Sequence, residues 1–378
     1  FLQRIGRGNR RAHKTNAVCL IPDTCKSVGW DALCFASLVD AASKGELPRR
    51  CPYELYGAVA QQMLSIIASD GGRFTRVADL CKLVRHKVYL DRPTVESILA
   101  QLAANGYLQA HGFKNQYGAD EMLHELVDFR MIYGNYGSGS QTVDLYHGAK
   151  CLGEIPATNL LRIHRGSVVR FNGKCWRVQK ASRDKILLEP VRSGDAIDFT
   201  YAGARARIDA FVANRVWQLL HAEGFPESLF ALSLRSTVLE ARARLRSVCT
   251  FNQIPYVRSV DGFQYFTFAG YLVNKAVGLI SGNKSFKASD ASVLVPSPID
   301  WGMIPSEPQA YESVFPSLFE MSSEQSLYQA LLPPELQLRE YLEDWLKDQA
   351  VTDVLRRLVS SSPVAINSGC IGFFASAD

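Results

Sequence analysis

The sequence predicts a multidomain α+β protein, and three observations carry that expectation. Its 378 residues, 47% of them hydrophobic, suffice for more than one core of ordinary domain size. Apolar residues recur at helical spacing between residues 30 and 105 and again beyond residue 208. Between residues 130 and 190 the pattern alternates with period two, in short runs broken by Gly, Asn and Pro, as small sheets do.

The elements follow in order. Residues 3–10 read Q-R-I-G-R-G-N-R, which supplies Gln3, a glycine-flanked Arg7 and, three residues later, Arg10. That spacing puts the two arginines on one face of a helical turn. Two forked guanidinia side by side suit a triphosphate, because each donates bidentate, charge-assisted hydrogen bonds to phosphate oxygens. The segment 17–22 (AVCLIP) has the pattern of a short buried strand, and residues 30–42 that of a helix ended by Gly45 and Pro48.

Residues 52–69, 74–84 and 92–105 then form three amphipathic helical patterns. Val95, Ile98, Leu99 and Leu102 make the core stripe of the third, and Gly106 follows as its terminating glycine. A strand is expected from Tyr107 to Ala110. Three helices followed by a strand pair are the pattern of a winged helix. The third helix exposes little beyond Arg92, Glu96, Gln101 and Asn105, which suits gripping a duplex better than reading its bases.

The alternating runs up to Pro190 predict a small antiparallel sheet or barrel, with Asn172-Gly173 as a type I′ hairpin turn. Counted by parity, Arg170, Lys174 and Trp176 fall on one face. Helices are expected at 208–221 and 234–248, the latter with Arg235, Arg242 and Arg246 on one face and no interleaved acid. Such a ridge can track phosphates or simply be a solvated helix face. A strand at 264–268, a helix at 272–280, a long loop from Ser281 to Pro308 and helices near 324–331 and 335–358 complete the chain.

Charge is strongly graded. Residues 150–192 hold ten Lys/Arg against three acids, while residues 290–378 hold four against 13. The first stretch attracts polyanions through counterion release. The acidic tail cannot share that role. No run of 18 apolar residues occurs, so no membrane span is expected. Nine scattered cysteines without a CxxC pair are the pattern of reduced thiols in a cytoplasmic protein, not of a disulfide or zinc framework.

The string Q-R-I-G-R-G-N-R resembles motif VI of superfamily 2 helicases. With the winged-helix pattern after it, and with LGEIP at 152–156, FNGKCWRV at 171–178, KILLEP at 185–190 and YFTFAGYLVNKAVG at 265–278, residues 1–290 resemble the C-terminal half of Lhr-type (large helicase-related) helicases. Gly8-Asn9 departs from the usual small residue and glycine but spares both arginines. The resemblance implies an ATP-dependent motor moving 3′ to 5′ on single-stranded DNA. It implies ATP and Mg²⁺ as cofactors, with Gln3, Arg7 and Arg10 acting on the nucleotide. Its domains would be the end of a second RecA-like lobe (1–48), a winged helix (49–130), a basic β-rich domain (131–200) and a mostly helical C-terminal domain (201–378).

No P-loop and no DExH box occurs in the sequence, so the chain is expected to be a C-terminal fragment, silent as an ATPase by itself. Its expected partners are single-stranded DNA or a DNA–RNA hybrid and the upstream RecA-like lobes, with no membrane. The candidate contacts are Arg92, Lys114, Arg170, Lys174, Trp176, Arg177, Arg235, Arg242 and Arg246. Trp176 has two readings. It is a base-stacking platform flanked by cations, or a tryptophan plugging the core of a small sheet. A non-enzymatic winged-helix and β-barrel nucleic-acid-binding module is the alternative function. A glycosylase has no matching signature.

Overall fold

The computed structural model describes residues 19, 21, 28–48, 55–84, 90–128, 132, 142–156, 159–160, 163–182, 185–192, 196–199, 207–283, 285–321 and 328–374. Among them are eleven α-helices and three sheets, so the protein is a multidomain α+β protein. It divides into two units. The first comprises residues 1–51, 207–318 and 344–378, and the second residues 52–206 and 319–343. The second unit contains residues 52–130 and 131–200, together with a segment from near the C-terminus.

Helix α1 (Val28–Lys44) belongs to the first unit. Trp30, Leu33 and Ala41 on it are fully buried.

The second unit opens with α2 (Tyr56–Ser69), β1 (Thr75–Arg76), α3 (Val77–Val84), α4 (Arg92–Ala104), β2 (Leu108–His111), β3 (Gln116–Ala119) and α5 (Glu121–Asp128). Asp91 caps α4, its carboxylate accepting from the Thr94 N–H at 2.9 Å, and Gly106 follows with φ 78°. Val95, Ile98, Leu99 and Leu102 are fully buried against Tyr56, Met63, Leu64 and Val77. Each such side chain stabilises the fold by roughly 1.5–3 kcal/mol. The helix expected from Phe74 begins only at Val77. Before it, Thr75 and Arg76 pair with Tyr117 and Gln116, so the strands order β1-β3-β2, all antiparallel. Two residues are too short a run to show alternation.

The unit continues with β4 (Thr142–His147), β5 (Lys150–Pro156), β6 (Val168–Phe171), β7 (Lys174–Ala181), β8 (Lys185–Val191) and β9 (Ile197–Asp198), ordered β5-β4-β8-β7-β6-β9. The expected antiparallel sheet is in fact mixed: β4 runs parallel to β8, and β6 parallel to β9. Asn172 (φ 49°) and Gly173 (φ 72°) join β6 to β7 in two residues, both left-handed, as the type I′ hairpin requires.

The first unit resumes with α6 (Ala210–His221), α7 (Leu232–Val248), β10 (Gln253–Ser259), β11 (Gly262–Tyr265), α8 (Tyr271–Ile280), β12 (Lys287–Ala288), β13 (Val293–Val295) and α9 (Phe315–Met321), of which residues through Leu318 belong to it. Then follow α10 (Pro334–Lys347), of which residues through Glu343 belong to the second unit, α11 (Gln349–Ser360) and β14 (Ser362–Ala365). Residues 201–378, expected to be mostly helical, contain a five-stranded sheet of order β12-β13-β11-β10-β14. Two of its strands lie where a long loop was expected. At two and three residues they too are shorter than a readable pattern. In the core of this unit, Trp30 and Leu33 of α1 pack with Val216, Trp217, Leu245 and Phe268.

Candidate nucleic-acid interface

The six-stranded sheet holds four of the nine predicted contacts, and register sorts them. Val168 pairs with Arg177, Val169 with Trp176, Arg170 with Cys175 and Phe171 with Lys174. Cross-strand partners share a face, so Arg170 and Arg177 lie on one face, and Trp176 lies on the other with Val169 and Phe171. The face shared by Arg170 and Trp176 in the parity count does not form, because parity is not carried across a hairpin without the register of the turn. Trp176 is 7% exposed in the core with Leu145, Val169 and Val178. Its Nε1–H donates to the Phe171 carbonyl at 3.1 Å, and its ring lies 5.6 Å from that of His147. The base-stacking reading is therefore corrected: Trp176 is a core side chain.

The cations around it remain at the surface. Lys174 and Arg177 are exposed, with no ion-pair or hydrogen-bond partner among the described residues. Arg170 pairs with Asp198 at 3.4 Å, both half-exposed, an arrangement of little energetic weight. At the same end of the sheet Lys150 opens β5, and Arg192 falls one step beyond the Cys175–Val191 pair, in line with Lys174. Lys150 and Arg192 are exposed and likewise unpaired among the described residues.

Arg92 opens α4, and Lys114 lies in the turn between β2 and β3. Arg92 is exposed and pairs with Glu96 at 2.8 Å. This ion pair and hydrogen bond raise its pKa and lower that of Glu96. The Asn115 side-chain amide also donates to Glu96, at 3.4 Å. Lys114 is exposed in the turn between β2 and β3 and is unpaired among the described residues.

The three arginines of α7 are used by their own unit and do not form a free ridge. The Arg242 Nε–H donates to the Leu220 carbonyl at 2.9 Å and its Nη2 to the Ala222 carbonyl. Its guanidinium lies 4.8 Å from the centre of the Phe225 ring. Arg246 pairs with Glu223 at 3.1 Å, and Arg235 donates to the Phe230 carbonyl at 3.3 Å. The C-terminal carbonyls of a helix lack partners within it and attract cations, and α6 ends where Arg242 and Arg246 reach. Burial, and next the Arg246 charge, lower the Arg242 pKa.

Gln3, Arg7 and Arg10 lie outside the described residues. A groove of about 700 Å³ in the first unit is lined by Phe35, Val39, Leu229 and Leu234 among others, and none of the described residues lining it is charged. No cluster of metal-ligating side chains occurs among the described residues, and no described helix is long and apolar enough to cross a membrane. The sequence reading named Arg170 but passed over Lys150 and Arg192, although both bound the basic stretch. Only register brings them to one end of the sheet. Comparison with family models, with curated proteins and with solved structures finds no match.

Proposed function

We propose that this chain is a nucleic-acid-binding region of an ATP-dependent DNA helicase of the Lhr type. In this reading residues 52–128 form a winged helix, and the six-stranded sheet contributes the electrostatic grip on a single strand. One observation carries the proposal. Three helices interleaved with a β1-β3-β2 sheet precede a second sheet whose end presents Lys150, Lys174 and Arg192 without an acid partner among the described residues. A strand's phosphates suit such an end: each neutralised phosphate releases counterions, and no internal ion pair has to break first. ATP and Mg²⁺ are the cofactors implied by the resemblance at Gln3, Arg7 and Arg10. Single-stranded DNA or a DNA–RNA hybrid is the partner.

The test is binding of single-stranded DNA as a function of salt. If about four to six phosphates are neutralised, log affinity should fall with log salt at a slope of about −3 to −4. A salt-independent affinity contradicts the proposal. The helicase assignment has its own test. In a protein that carries the ATP-binding core, Arg7→Ala or Arg10→Ala should lower ATP turnover about tenfold or more, given what arginine fingers contribute. Unchanged turnover in both removes it.

A further inference from the structure

The outer face of the three-stranded sheet carries an exposed aromatic ring among cationic and carboxamide side chains. Arg76 lies opposite Gln116, Gln116 opposite His111, and Gln109 opposite Gly118. These five positions therefore share a face, since cross-strand partners do. Phe74 lies on the same face. Its ring covers Gly118, where an added Cβ would come within 3.1 Å of it, and meets the His111 ring edge-on at 5.6 Å. Thr75 and Leu108, on the opposite face, are buried. Phe74, by contrast, is 38% exposed. The glycine beneath it lets the ring rest on bare strand backbone.

None of the six positions is acidic. Among the described residues, the guanidinia of Arg73 and Arg76 and the carboxamides of Gln109 and Gln116 have no hydrogen-bond or ion-pair partner. The nearby acids are engaged: Asp70 accepts from the Thr75 hydroxyl, and Glu96 from Arg92 and Asn115.

We propose that this face binds unpaired bases of a nucleic-acid strand. Phe74, steadied by His111, stacks on one base, Gln109 and Gln116 address base edges, and Arg73 and Arg76 hold the flanking phosphates. The proposal rests on the reading of the chain as a nucleic-acid binder and adds a second contact surface to it. The chemistry is that of single-strand grip: every base has a π-face, so stacking tolerates sequence, and guanidinia supply the charge. A carboxamide donates and accepts at once, as a base edge requires. An acidic or purely apolar protein partner would leave one half of this set without a use.

The experiment uses the whole chain and a single-stranded DNA of about twelve nucleotides carrying one 2-aminopurine. Stacking on Phe74 should change the fluorescence of that base on binding. Phe74→Leu keeps an apolar cover over Gly118 but removes the ring. It should weaken binding roughly 5- to 150-fold, the range for loss of a base-stacking aromatic, and abolish the fluorescence change. Phe74→Trp should retain both. Lys174→Gln should weaken binding while leaving the fluorescence change intact. A melting scan of each variant confirms its fold. If Phe74→Ala fails to fold, the Leu and Trp variants decide.

Wild-type chain that does not bind the strand at all overturns the functional reading, and this site with it. Wild-type binding that Phe74→Leu matches, with the same fluorescence change, overturns this site alone. Equal affinity for a blunt duplex without a fluorescence change overturns it as well.

Discussion

Glu340, on α10, accepts a hydrogen bond at 2.9 Å from the backbone N–H of Gly57, in the first turn of α2. The residue at the cap of that helix is Leu55, which has no side chain able to serve. Glu340 is 4% exposed and supplies from far along the chain what a local Ser or Asp usually gives. A carboxylate is favoured there because the first N–H groups of a helix are unpaired and its N-terminus is the positive end of the dipole. Glu340→Ala should therefore destabilise the second unit by about 1–3 kcal/mol, the cost of leaving a buried donor without its partner. Glu340→Gln, which keeps an acceptor, should recover part of that loss. Denaturant unfolding measures both, and a Glu340→Ala midpoint equal to wild type refutes the capping role.

Trp176→Ala separates packing from recognition. A core tryptophan truncated to alanine costs about 3–5 kcal/mol, so a large drop in melting temperature is expected. The folded fraction should bind single-stranded DNA with unchanged affinity, because the ring faces Val169 and Phe171 across the hairpin and not solvent. Weaker binding at unchanged melting temperature would restore the stacking role.

This residue also marks how far the sequence is legible. Helix α4 was legible, because its apolar stripe and its closing Gly106 are local signals whose meaning does not depend on the rest of the chain. The Asn172-Gly173 turn is local in the same way. Trp176 is not: its face depends on the pairing of β6 with β7. Nor is the fate of Arg242, because nothing within α7 announces the carbonyls at the end of α6. The five-stranded sheet was missed because β12 and β13 are too short to alternate, and because β14 joins β10 in parallel from the far end of the chain. The Phe74 face shows in sequence only as R-F-T-R, at the start of a stretch that has a helical pattern from Phe74. Its meaning appears once β1 pairs with β3.

Arg242 should behave as a structural clamp. Arg242→Met keeps the apolar stem over Phe225 but leaves the carbonyls of Leu220 and Ala222 without their donor. A loss of about 1–3 kcal/mol is expected, with single-strand affinity unchanged. A variant of normal stability that has lost DNA affinity would return Arg242 to the phosphate-tracking role.

Charge removal at the end of the six-stranded sheet should show in the salt dependence. Lys174→Gln and Arg192→Gln remove side chains that are exposed and unpaired among the described residues. If each holds one phosphate of a single strand, each substitution should make the slope of log affinity against log salt shallower by about 0.7. Stability should change by no more than about 0.5 kcal/mol, as is usual for surface substitutions. Arg246→Gln serves as the control: its charge is already committed to Glu223, so the slope should hold. Equal slopes in all four proteins would place the phosphates elsewhere.

His221 should make stability depend on pH in a window well below neutrality. Its ring lies 4.2 Å from that of Trp217, and its Nε2 is buried without a hydrogen-bond partner among the described residues. Burial, followed by the charges of Arg246, Arg242 and Arg357, lowers its pKa from the usual 6.5 to about 4. The folded chain thus takes up this proton less readily than the unfolded chain. Between about pH 6.5 and 4 the unfolded state binds more protons, so stability falls as the pH is lowered through that range and levels off below it. Partial solvent contact of the ring softens the effect. Asp40 does not confuse the window. Burial alone would raise its pKa, but hydrogen bonds and charges from Lys44 and Arg215 outweigh that and hold it below 3.8. Its stabilising contribution is full above that value and is lost only as the pH falls further. His221→Phe, which keeps an aromatic ring beside Trp217, should flatten the melting temperature between pH 6.5 and 4 while leaving its value near pH 8 little changed. The same decline in both proteins would assign the pH dependence to other groups.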